Sequence, residues 1–144
     1  MPDDSGTTDA SRPRGRRLIA GGLLALTIAA GLAVHSFAPD GAASDIAGDA
    51  LYAVAVYLAV VLVVPRLRVP AVALIAAVWC TVVELFQLTG IPLALGAAFS
   101  PVMLVLGTVF DARDLVIYLV AVAVAALVDA LADGALRRLR RRTS

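Results

Sequence analysis

The only glutamate in this chain lies inside an apolar stretch. Glu84 falls within residues 70–88, which carry no other charge. A charged side chain at the centre of a membrane helix costs roughly 2.5–3.5 kcal/mol on insertion scales, less toward the interface, so an acid there needs a partner or a task. At about 100° per residue, Ala77, Cys80, Thr81, Glu84 and Gln87 share one helix face, a stripe of small and polar groups that a bundle buries. Asp114, Tyr118, Ala125 and Asp129 form a second such stripe, and Asp49, Tyr52 and Ala53 a shorter third. Paired carboxyls suit general acid–base work and cation binding. The candidates for a polar pocket or ligand site are therefore Asp49, Tyr52, Glu84, Gln87, Arg113, Asp114 and Tyr118. In an enzyme, Glu84 and Asp114 would be acid and base, with Asp49 on a cation that holds a phosphate. Alternatively, Glu84 and Gln87 pair with Arg113 or with backbone groups of residues 93–109 and only hold the fold.

Other chemistry finds no support. A lone Cys80 and a lone His35 exclude an intrachain disulfide and a zinc site of known ligand spacing. His35 reads as an interfacial side chain, and Asp40 and Asp45 as solvated loop residues. No catalytic nucleophile is identified, and no metal or cofactor is expected.

The elements that must position these residues follow from composition. Of 144 residues, 61% are hydrophobic and 16% charged, with a mean hydropathy of +0.94. Soluble domains are about 45–50% apolar and about 25% charged, so a soluble enzyme is excluded. The expected fold is an all-α membrane bundle with spans at 18–37, 46–64, 70–88 and 115–131, each close to the roughly 20 residues a bilayer requires. Residues 1–17 read as a disordered basic cytoplasmic tail and 132–144 as an Arg-rich one. The first span follows an Arg pair, but its apolar run exceeds the 7–15 residues typical of a secretion signal, so it is expected to be retained. Gly21, Ala25, Ala29 and Ala33 offer a small-residue packing face on it.

Residues 93–109 are apolar but broken by Gly96, Ser100-Pro101 and Gly107. All the basic residues are arginine. With four spans and a cytoplasmic N-terminus, every one except Arg113 lies inside, whereas a fifth span would export the C-terminal cluster. The positive-inside rule therefore favours four spans, with 93–109 re-entrant or interface-parallel on the outer side and both termini cytoplasmic. That places Glu84, Asp49, Arg113 and Asp114 toward the outer face. Asp129 is left near the cytoplasmic end, where Arg137 and its neighbours could neutralise it. The Arg-only, Ala/Val-rich usage points to a GC-rich bacterial genome.

The runs Gly48-Asp49-Ala50-Leu51-Tyr52, Val83-Glu84-Leu85-Phe86-Gln87-Leu88, Leu104-Val105-Leu106-Gly107 with Phe110, and Asp114-Leu115-Val116-Ile117-Tyr118 carry a resemblance. Over roughly residues 45–130 the chain resembles an uncharacterised family of small multi-pass bacterial membrane proteins, itself similar to the VanZ-like family. One departure stands out: the Arg that relatives place between the E-x-x-Q helix and the last Asp is replaced near its place by Ala97, Ala98 and Phe99. Its role would fall to Arg113 or be lost. The resemblance implies a protein of the bacterial cytoplasmic membrane and the cell envelope; the wider group is associated with low-level glycopeptide resistance. Three function classes are open. The first is a non-catalytic binding or accessory protein whose outward polar pocket takes a lipid-linked envelope ligand or a membrane protein partner. The second is an intramembrane enzyme acting on a lipid-linked substrate, and the third a proton or ion pathway through Glu84, Asp114, Tyr118 and Asp129. The expected partner is the lipid bilayer, and the terminal arginines serve it rather than nucleic acid.

Overall fold

The computed structural model describes residues 11–107 and 109–142. Among these are α1 (Ser11–Phe37), α2 (Ala42–Val63), α3 (Val69–Gln87), α4 (Ile91–Ala98), α5 (Met103–Leu106) and α6 (Ala112–Arg142), with a 3-10 turn at Ser100–Val102 and no strand. Four helices are long and apolar enough to cross a membrane, over Arg14–Phe37, Ala42–Val63, Val69–Gln87 and Ala112–Leu136. They coincide with the expected spans to within a few residues. Pro70 sits in the first turn of α3, where its missing N–H leaves no hydrogen bond unmade. Gly90, at φ 70°, turns the chain beyond its end.

Helices α2, α3 and α6 pack against one another, and α1 lies on α2. The shared core is Ala53, Tyr57 and Val61 of α2, Val72, Ala76 and Cys80 of α3, and Tyr118, Ala121 and Val122 of α6. These are one-turn steps along each helix, and each helix brings an alanine to the seam, where backbones can approach closely. Large apolar side chains such as Leu74, Val78, Val82, Val120, Leu127 and Val128 point outward. Hydrocarbon solvates such side chains, whereas every backbone polar group there must find an internal partner.

The small-residue stripe does not form the packing face of α1. Ala25, Ala29 and Ala33 are exposed, whereas Ala20, Leu24, Thr27, Gly31 and Val34 are buried or half-buried on the helix that lies on α2. A strict four-residue repeat drifts about 40° per step around a helix of 3.6 residues per turn, so the stripe winds away from any straight seam. Only Gly21 stays close, where a Cβ would lie 3.4 Å from Leu62 Cδ1.

Residues 91–106 do not form a fifth long helix. Phe99, with φ −147°, ends α4, Pro101 sits inside the 3-10 turn, and α5 closes at Gly107 with φ 64°. This broken segment packs against α3. Both expected tails are partly helical. Residues 1–10 lie outside the described ones, but α1 already begins at Ser11, with Pro13 in its first turn where proline is tolerated. Helix α6 continues to Arg142, through a run rich in leucine and arginine, both good helix formers.

Candidate functional site

A helix leaves its first N–H groups and last C=O groups without intrahelical partners, and inside a membrane these cannot turn to water. The chain between α5 and α6 contains both kinds of orphan, and polar side chains from the long helices meet them. Tyr52 of α2 donates its hydroxyl to the Val105 carbonyl at 2.8 Å and accepts from Trp79 Nε1 at 3.1 Å. Gln87 of α3 donates Nε2 to the Leu106 carbonyl at 2.9 Å. Glu84 Oε1 accepts the Asp111 N–H at 2.7 Å. Asp111 in turn accepts the Arg113 N–H at 2.8 Å, capping α6. Gly107 belongs to the same construction, because a Cβ there would fall on the Gln87 amide.

The four remaining candidates join this cluster. The Tyr118 hydroxyl lies 3.5 Å from Asp49 Oδ1 and within reach of Glu84, and the Asp49 carboxyl lies against that of Asp114. The Tyr52 and Tyr118 rings stand 5.9 Å apart, tilted by 55°. Arg113 sits at the rim, 3.6 Å from Asp114 Oδ1, 3.9 Å from Asp111 Oδ2 and 4.0 Å from Asp45 Oδ2. Glu84 is fully buried and Gln87 and Tyr118 nearly so, forming a floor beneath the exposed Asp45, Asp111 and Arg113. All seven candidate residues thus stand at one end of the bundle. Asp45, read as a solvated loop residue, is exposed but contributes to the rim.

The two structural alternatives for Glu84 separate here. It takes the N–H of Asp111, just beyond residues 93–109, and not Arg113, whose charge is directed to the aspartates. Gln87 likewise takes a backbone carbonyl of the broken segment. Neither pairing consumes the whole side chain, since Glu84 Oε2, Gln87 Oε1 and Asp114 Oδ1 are buried without hydrogen-bond partners.

A second polar cluster stands at the opposite end. Arg16 of α1 reaches Asp129 of α6 at 2.6 Å and donates to the Pro65 and Leu67 carbonyls at 2.8 Å each, while the Tyr57 hydroxyl donates to Asp129 at 2.8 Å. Asp129 is therefore met by an arginine from the start of the chain. The Arg137 side chain, the partner expected from proximity in sequence, lies outside the described residues. The signal for the role of Tyr57 was a lone phenol in the apolar stretch of α2 that follows Tyr52. Between the clusters the core is apolar, formed by Ala53, Val72, Ala76, Ala121 and Val122.

Residues 38–122, more than half of the chain, match the family described as a protein of unknown function, DUF2809. The chain belongs to that family. All seven candidate residues fall inside the DUF2809 match, whereas Arg16 and Asp129 fall outside it. No curated protein and no solved structure matches the chain.

Proposed function

We propose that this DUF2809 protein is a non-catalytic binding or accessory protein of the bacterial cell envelope, spanning the cytoplasmic membrane four times and working through the polar cluster at its Glu84 end. The observation that carries this reading is the convergence of three carboxyls, an amide and two phenols from three different spans beneath an exposed rim. The arginine distribution supports an orientation with that end outward, both termini cytoplasmic and residues 91–106 lying re-entrant or flat at the outer interface. The E-x-x-Q and D-L-x-x-Y runs support a wider likeness to the VanZ-like family, and with it an envelope ligand that is lipid-linked or a membrane partner. The bond that commits Glu84 Oε1 to the Asp111 N–H weighs against the acid–base enzyme. The apolar core between the two clusters weighs against a proton or ion pathway.

The test is a deletion strain of the source organism, profiled against glycopeptides and other envelope-acting compounds. Wild-type protein should restore the parental profile, and Asp114→Asn at equal membrane abundance should not. Full restoration by that variant would remove the cluster from the function.

A further inference from the structure

The unpartnered atoms of the Glu84 end are all of one kind. Glu84 Oε2, Gln87 Oε1 and Asp114 Oδ1 are acceptors, and the remaining buried orphan among the described residues, Arg16 Nε, belongs to the opposite end. Glu84 is 0% exposed and Gln87 7%, and each is fixed by its other polar atom, on the Asp111 N–H and the Leu106 carbonyl. Neither side chain can turn away without losing that bond. The aspartates Asp45, Asp111 and Asp114 approach the Arg113 guanidinium, and the carboxyls of Asp49 and Glu84 lie beside that of Asp114. The buried acceptors of this end therefore outnumber the donors that reach them.

Arg113 does not fill that need. It approaches three aspartates at 3.6–4.0 Å, none at hydrogen-bond length, and its side chain is 44% exposed. Among the described residues no three acidic, His or Cys side chains are grouped to hold a metal ion. An ammonium supplies three N–H donors that reach carboxylate oxygens at about 2.7–2.9 Å, and aromatic faces such as those of Tyr52 and Tyr118 also attract cations. We infer that this end of the bundle binds a primary ammonium group, held by Glu84 Oε2 and Asp114 Oδ1 beside Asp49, with Gln87 Oε1 as a further acceptor. The inference rests on the proposed binding role and names the ligand chemistry. The ammonium can be that of a lipid headgroup or of a soluble amine.

The full-length protein in phosphatidylglycerol nanodiscs provides the test, read as the thermal unfolding midpoint. Methylammonium chloride should raise the midpoint saturably, whereas tetramethylammonium and sodium chloride at equal ionic strength, which bring charge but no N–H, should not. In a second arm, phosphatidylethanolamine added to the discs should raise the midpoint and phosphatidylcholine should not if the lipid is the source. A response to methylammonium alone assigns a soluble amine. Asp114→Asn should weaken the response about tenfold, the loss of one charge-assisted hydrogen bond. If that variant does not fold, the ion comparison on the wild-type protein decides alone. No saturable response in either arm, or an equal response to tetramethylammonium, overturns the inference, and would be expected if the carboxyls merely share protons. Failure here while Asp114→Asn still fails to complement refutes the ligand chemistry but not the site. An ammonium response with full complementation refutes the envelope role instead.

Discussion

The two ends of this bundle use the same residue types to opposite effect. At the Arg16 end, one arginine meets one aspartate at 2.6 Å, a phenol donates to the same carboxylate oxygen, and two loop carbonyls accept from the guanidinium, whose Nε alone is left without a partner. At the Glu84 end, one arginine hovers over several carboxyls, and three buried acceptors have no partner. Matched charge at hydrogen-bond distance holds helices together, whereas a surplus of acceptors fixed by backbone contacts is a surface prepared for something else. That contrast separates a structural polar cluster from a candidate site without reference to activity.

The comparison breaks most visibly at Arg16. Among the described residues α1 packs on α2, and the Arg16 side chain ties it to α6. Arg16→Ala strands Asp129, which is 21% exposed in its side chain, and should cost about 3 kcal/mol, the low end for breaking a buried pair. Denaturant titration in micelles would measure it. Adding Asp129→Asn should recover part of the loss by removing the stranded charge. An unchanged midpoint in the single variant would show that the Arg16 end is not the structural one.

Gly107 and Gly90 provide the next contrast. Both have positive φ, 64° and 70°, so alanine is strained at either, but a Cβ at Gly90 meets open space while one at Gly107 meets the Gln87 amide. Gly90→Ala should cost about 1 kcal/mol, the left-handed strain alone. Gly107→Ala should cost about 2–3 kcal/mol, because the Gln87–Leu106 bond is displaced as well. Equal midpoints for the two variants would mean that Gln87 does not hold the segment between α5 and α6.

Much of this arrangement was legible in the sequence because hydrocarbon imposes simple rules. Span length, the Arg bias and the isolation of Glu84 gave four helices and the polar stripes of three of them, and those stripes do face one another. The partners of Glu84 and Gln87 were only half legible. Charge complementarity points to Arg113, but a backbone N–H and a carbonyl left by broken helices compete for the same side chains and leave no mark in residue type. The Arg16–Asp129 pair spans nearly the whole chain and joins two helices whose backbones do not pack together, so neither spacing nor periodicity encodes it. The small-residue stripe of α1 misled for the converse reason: a regular repeat in so Ala-rich a chain matches no straight seam.

The smallest expected effect falls on Arg113, and it sharpens the comparison furthest. Its contacts with Asp45, Asp111 and Asp114 are all longer than a hydrogen bond and its side chain is 44% exposed, so solvent screens them. Arg113→Gln should therefore change unfolding stability by less than about 1 kcal/mol, against about 3 kcal/mol for Arg16→Ala. Because Glu84 bonds to the Asp111 N–H and not to Arg113, Arg113→Gln should also give no rescue when combined with Glu84→Gln. Removing the rim cation takes away a competitor for the carboxyls, so the same variant should respond to methylammonium at lower concentration than the wild-type protein. A large stability loss in Arg113→Gln, or a double variant more stable than Glu84→Gln alone, would make the Glu84 end a second structural pair and erase the difference between the two ends.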